Sequence, residues 1–139
     1  MRTAALDVGD ARIGVAVSDE LGITATGIGV VRRQGGRHDL DALAALLEPY
    51  RPFRLVVGLP ITLRGGEGRQ AAKVRAFAER AATHLGVPVE YVDESFTTVE
   101  AERVLVQADV SRRRRRQVVD KVAATIILQT YLATRPGVS

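Results

Sequence analysis

Ala4-Ala5-Leu6-Asp7-Val8-Gly9, followed by the alternating run Ile13-Gly14-Val15-Ala16-Val17-Ser18-Asp19, is the stretch whose reading decides the fold. Apolar residues at period two on either side of a glycine-containing turn predict two strands of a hairpin. One residue does not belong in such a hairpin for packing reasons alone. Asp7 is a carboxylate inside an apolar run, and a buried carboxylate is costly unless a cation, a proton or hydrogen-bond donors offset it.

Working outward, Thr3 to Val8, Ala11 to Ser18 and Thr24 to Arg33 read as three consecutive antiparallel strands. The period then changes. Leu40, Leu43, Ala44 and Leu47 share a helical face, and Pro49 with Pro52 closes that helix before the buried strand Leu55-Val56-Val57-Gly58-Leu59. A loop with Gly65, Gly66 and Gly68 leads to a helix bearing Val74, Phe77, Ala78, Ala81 and Leu85 on one face, ended by Gly86 and Pro88. The next strand runs Val87 to Glu94. Thr97 with Glu100 fits a capping box for a helix carrying Ala101, Val104, Leu105 and Ala108, and Ser111 caps a last helix that stops before Pro136-Gly137. The fold class that follows is α/β, a five-stranded mixed sheet of three antiparallel strands then two parallel ones, with helices on both faces and the first strand central.

Two further acids occupy positions as odd as that of Asp7. Glu94 ends an apolar strand, and Asp120 interrupts a helical pattern that continues through Val122, Ala123, Ile126 and Ile127. Strand alternation puts Asp93 and Glu94 on opposite faces, so one of them faces Asp7; Glu94 is the choice and Asp93 the alternative. Three acids from three elements predict a site for Mg²⁺ or Mn²⁺, one or two ions, since hard cations take oxygen ligands and serve phosphodiester chemistry. The competing reading makes each acid structural, with Asp7 accepting turn amides near Gly9.

The chain has 139 residues, 46% of them hydrophobic and 26% charged, which suits one domain spanning 1–139. It has no cysteine, which excludes disulfides, thiol nucleophiles and thiolate metal sites. With no long apolar segment and no N-terminal signal pattern, the expectation is a cytoplasmic protein with no membrane partner. A formal charge of +4 and a pI near 10.1 lean toward a polyanionic partner. Arg112, Arg113, Arg114, Arg115 and Arg116 concentrate that charge near the start of the last helix, where the macrodipole disfavours cations, so phosphate is the natural partner and a solvated charge run the bland one. Arg12 either steadies a phosphate near Asp7 or pairs with Asp10 or Asp19. Arg64 and Arg69 flank a glycine-rich loop before a helix N-terminus, a place that receives phosphate through backbone amides. That loop lacks the Gly-Lys-Ser/Thr end of a nucleotide P-loop. Thr97 and Thr98 cap a helix or touch substrate near Glu94. His38 and His84 are isolated surface residues.

Taken together and in order, Leu6-Asp7-Val8-Gly9, Arg12-Ile13-Gly14-Val15-Ala16-Val17-Ser18-Asp19, Val57-Gly58-Leu59-Pro60, Asp93-Glu94 with Thr97-Thr98, and Val119-Asp120 with Ala123-Ala124 and Ile127-Leu128-Gln129 resemble the YqgF/RuvX family over essentially the full chain. That resemblance implies a ribonuclease H-like fold, kinship with Holliday-junction resolvases, and nuclease activity in maturation of pre-16S ribosomal RNA. The family's acidic site falls, by matching position, on Asp7, Glu94 and Asp120. Ser95 departs from the arginine that the family usually carries after the Asp-Glu pair. Three functions are thus in view: an RNA nuclease or its relative, a branched-DNA resolvase acting as a homodimer; a nucleotide-binding kinase or ATPase, for which 139 residues are too few; and a non-catalytic nucleic-acid-binding module. The RNA nuclease, as monomer or homodimer, is the leading expectation.

Overall fold

A computed structural model describes residues 1–60, 68–94 and 112–134. Its elements are β1 (Thr3–Val8), β2 (Arg12–Ser18), β3 (Ala25–Arg32), α1 (Gly36–Leu47), β4 (Arg54–Leu59), α2 (Arg69–Leu85), β5 (Val89–Asp93) and α3 (Arg112–Thr134). The helix expected after Thr97 lies outside the described residues, as do Arg64, Ser95, Thr98 and Ser111. Strands stack in the order β3-β2-β1-β4-β5, with β1 central as the pattern required. β1 runs antiparallel to β2 and parallel to β4, which is parallel to β5. The strand ends fall within a residue or two of those expected. Single hydrogen bonds, Arg33 N to Ala11 O and Asp19 N to Thr24 O, carry the β2–β3 pairing just past each end.

Alternation sorts the sheet into two faces. Leu6, Val15, Val57 and their neighbours pack under α1 and α2 with Leu43, Leu47, Val74 and Phe77, all buried. Ala5, Ala16 and Val56 pack on the other face under α3, against Ala124, Ile127, Leu128 and Tyr131. This second face is built from small residues, so α3 lies close to the strands. A bulge changes the β2–β3 register between Val15 and Ala16, whose partners are Gly29 and Gly27. Ile28 is the extra residue, and it puts Gly27 beneath Lys121 and Thr125 of α3 while Gly29 lies beneath Leu46 of α1.

Helix boundaries have local causes. α2 ends at Gly86, which adopts the left-handed conformation at φ 70° and donates its N–H to the carbonyl of Thr83. α1 starts earlier than its apolar pattern shows, at Gly36, because Asp39 in its first turn gathers the amides of Gln34 and Gly35 and the Arg33 guanidinium. Burial alone would raise the Asp39 carboxyl, but those donors and His38 outweigh it and hold the group below its ordinary range. Among the described residues, no helix is long and apolar enough to cross a membrane.

Candidate active site

Asp7 is the next-to-last residue of β1 and sits on the α3 face, directly opposite Gly14 of β2. Glu94 follows the end of β5, where its N–H donates to the Leu59 carbonyl at 3.0 Å. The chain turns there so that the Glu94 side chain lies over Gly58 of β4. A Cβ placed on Gly58 would stand 2.7 Å from Glu94 Oε2 and 3.0 Å from its Cβ, so the glycine is the seat for the carboxyl. Asp93, the alternative, is exposed on the other side of the strand end. Of the two acids that alternation set on opposite faces, Glu94 is the one that meets Asp7.

Asp120 arrives from α3, and the approach depends on Gly14. A Cβ at Gly14 would lie 1.9 Å from the Asp120 carbonyl oxygen and 2.3 Å from its carbon. Asp7 thus has bare backbone opposite it on β2, and through that gap the helix brings its own acid within electrostatic reach. Arg12 holds this acid: Nε donates to Asp120 Oδ2 at 2.6 Å, a charge-assisted bond between two partly buried groups. Pairing of Arg12 with Asp10 or Asp19 does not occur. Asp19 is engaged with the amides of Ile23 and Thr24, while Asp10 accepts from Gln70.

Among the described residues, no group of three or more acids and histidines stands arranged as a metal cage. The arrangement is a tight pair, Asp7 with Glu94, and a third acid beside it in the grip of an arginine. The pair is electrostatically unsettled. Burial, then the charge of Asp7 and a carboxyl–carboxyl hydrogen bond to it, push Glu94 from its ordinary 4.5 up to about 9. Burial also raises Asp7; the bond with Glu94 opposes that rise and the charge of Asp120 adds to it. The buried Oε2 of Glu94 has no hydrogen-bond partner. A carboxyl raised on folding binds a proton more tightly in the native state than in the unfolded one. Its contribution to stability is complete below pH 4.5 and is lost as pH climbs to about 9. The metal-free protein should accordingly melt lower at pH 8.5 than at pH 5.5 in calorimetry with EDTA, and Glu94→Gln should flatten that slope.

The other residues singled out in the sequence are dispersed. Arg69 is exposed at the first position of α2. Arg112 to Arg116 form the first turns of α3 in backbone, and their side chains lie outside the described residues. His38 lies beside Asp39, and His84 is 3.4 Å from Asp41 on the surface. Sequence reasoning missed Gly14 and Gly58 as builders of the site. Their signal was available, since a glycine inside a strand pattern marks close approach by another group.

The sheet order, with helices on both faces, is that of the ribonuclease H-like fold, and the family this chain matches is one of nucleases, which hydrolyse phosphodiester bonds. The chain belongs to the RuvX family, whose model, described as Holliday junction resolvase, matches residues 1–134. It is 54% identical over 132 residues to a protein of Moorella thermoacetica, covering 95% of this chain and 94% of that one. To a protein of Symbiobacterium thermophilum it is 52% identical over 135 residues, covering 97% and 94%. Both carry the name of a candidate pre-16S rRNA nuclease. In fold it is similar to T. thermophilus RuvC solved in complex with Holliday junction substrate, at a TM-score of 0.56 and 20% identity, over 99% of this chain and 98% of that one.

Proposed function

We propose that this chain is a divalent-metal-dependent nuclease that cuts RNA in the maturation of the 5′ end of pre-16S rRNA, with Asp7, Glu94 and Asp120 as its catalytic acids. The observation that carries this reading is the buried Glu94 Oε2, which has no hydrogen-bond partner, on a side chain that faces the partly buried carboxyl of Asp7. Two such groups side by side ask for a cation, and an all-oxygen donor set suits Mg²⁺ or Mn²⁺ rather than a softer metal. When bound, the ion would supply Lewis acidity at the phosphodiester and lower the pKa of an attacking water.

The chain's own groups do the rest. Asp7, on the central strand beside Gly14 of β2, fixes the position of the site, and Glu94 would have to give up its proton to serve as a ligand. Arg12 fixes the orientation of the Asp120 carboxylate through Oδ2 and places a guanidinium where a substrate phosphate can exchange with that acid. The arginines that open α3, together with Arg64, Arg69, Thr97 and Thr98, supply phosphate contacts that carry affinity and little sequence information. One protomer holds a whole site, so a monomer suffices for RNA.

A second reading rests on the likeness to RuvC bound to a junction: the same site would resolve branched DNA as a homodimer, since two strands must be cut. End-labelled RNA carrying the 16S 5′ leader, the matching single-stranded DNA and a four-way junction, each with Mg²⁺, Mn²⁺ or EDTA, separate the two. Metal-dependent cutting of RNA that EDTA stops is the expected result. Junction cutting alone would move the assignment to the resolvase, and binding of every substrate without cutting would make the chain a binding module.

A further inference from the structure

On the face of β1 opposite the acids, a cleft of about 450 Å³ opens between the β1–β2 turn, the start of α1 and the side of α2. Its lining is cationic. Arg33, Lys73 and Arg80 line it with Gln70, and Asp10 is its one acid among the described residues. Val8, the residue after Asp7, forms part of the wall, and strand alternation turns it away from the carboxyl pair. The cleft and the acids therefore lie on two sides of one strand end, separated by the turn.

Arg33 is already set in place. Its Nε donates to buried Asp39, its Nη1 donates to the Gly9 carbonyl at 3.0 Å, and its guanidinium stacks over Phe77 at 4.8 Å. The ordering cost of this long side chain is met by the fold rather than by a ligand. Lys73 and Arg80 are exposed on α2, and among the described residues neither has a carboxylate partner. The one acid of α2, Glu79, accepts the Tyr91 hydroxyl instead. Asp10 is turned to Gln70 at 3.4 Å. A concave surface with one preset guanidinium, two exposed cations that have no carboxylate partner among the described residues, one of them (Arg80) resting over Phe77, and an amide is matched by an anion with several oxygens, spaced as in a phosphodiester backbone.

We propose that this cleft seats a backbone phosphate of the nucleic-acid strand, on the flank of the cut site, so that the strand crosses the β1–β2 turn from the acids to α2. This inference rests on the nuclease reading and adds a contact region to it. Arg33 then serves two ends: it meets the phosphate and it holds Gly9, two residues from Asp7, so a strand in the cleft bears on the turn that follows the catalytic acid's strand.

The test is binding of a labelled RNA hairpin and a four-way DNA junction to the full chain in EDTA, by fluorescence anisotropy over a range of salt. Wild type is compared with Lys73→Gln/Arg80→Gln and with Asp10→Asn, all at exposed positions. The double variant should bind several-fold more weakly and lose about 0.9 from the slope of log affinity against log salt, one phosphate contact's worth. Asp10→Asn should bind more tightly than wild type. Wild-type affinity and slope in both variants would overturn the proposal, and if wild type still cuts with metal, the nuclease reading stands without it. A wild-type chain that neither binds nor cuts either polymer would overturn both.

Discussion

Asp7→Asn is expected to lower metal-dependent cleavage by at least about a thousandfold while leaving nucleic-acid binding as tight as in wild type or tighter. The two halves of that expectation have separate physical origins. Cleavage fails because the pair loses the ligand on its rigid member, the one carried by the central strand between Gly14 and Gly58. Binding survives because the change removes a negative charge beside the phosphate and touches none of the cations. The metal-free variant should be more stable than wild type by ~1 kcal/mol, since a partly buried carboxyl raised by desolvation gives way to a neutral amide of the same shape. Added Mn²⁺ should raise the melting temperature of wild type and leave the variant unmoved. Loss of binding together with a lower melting temperature would instead mean that Asp7 holds the fold together and has no special part in the chemistry.

How much of this could be read from the amino-acid order varies with the kind of interaction. Period-two and helical patterns placed the five strands and the helices α1, α2 and α3, because burial of one face per element is written into local residue order. The same parity said that only one of Asp93 and Glu94 faces Asp7, without saying which. Pairings between distant residues were not legible. Arg12 has two acids nearby in the chain, Asp10 and Asp19, yet Asp19 is taken up by the amides of its own turn and Asp10 accepts from Gln70 of α2, and the arginine finds Asp120, 108 positions away. The Arg33–Asp39 bond was hidden for another reason: Asp39 lies in a polar stretch that reads as an exposed helix start, whereas its donors are backbone amides that any residue supplies. The Ile28 bulge left no mark either, since Gly27-Ile28-Gly29 fits regular alternation equally well.

The glycines opposite and beside Asp7 lead to the other large effect, in which one methyl group should dismantle the site. Gly14→Ala places a carbon 1.9 Å from the Asp120 carbonyl oxygen and 3.0 Å from its Cα, so what must move is the backbone of α3. A helix interior cannot yield locally, and the cost should reach about 3 kcal/mol, the upper end of the usual range for overpacking. Gly29→Ala is the matched control on the same sheet. Its new carbon meets only the tip of Leu46, at 3.1 and 3.2 Å, and that flexible side chain can turn aside. The relief of glycine's unfolded-state entropy, about 0.4–1 kcal/mol, should offset most of that crowding and leave stability near wild type. Because α3 carries Asp120, Gly14→Ala should also lose cleavage under conditions where the variant is still fully folded, and its gain in melting temperature with Mn²⁺ should shrink. Equal melting temperatures for the two variants would show that α3 does not bear on β2 at this point. A stable Gly14→Ala with full cleavage would remove Asp120 from the catalytic set, since the helix that brings it would then be free to stand farther from Asp7.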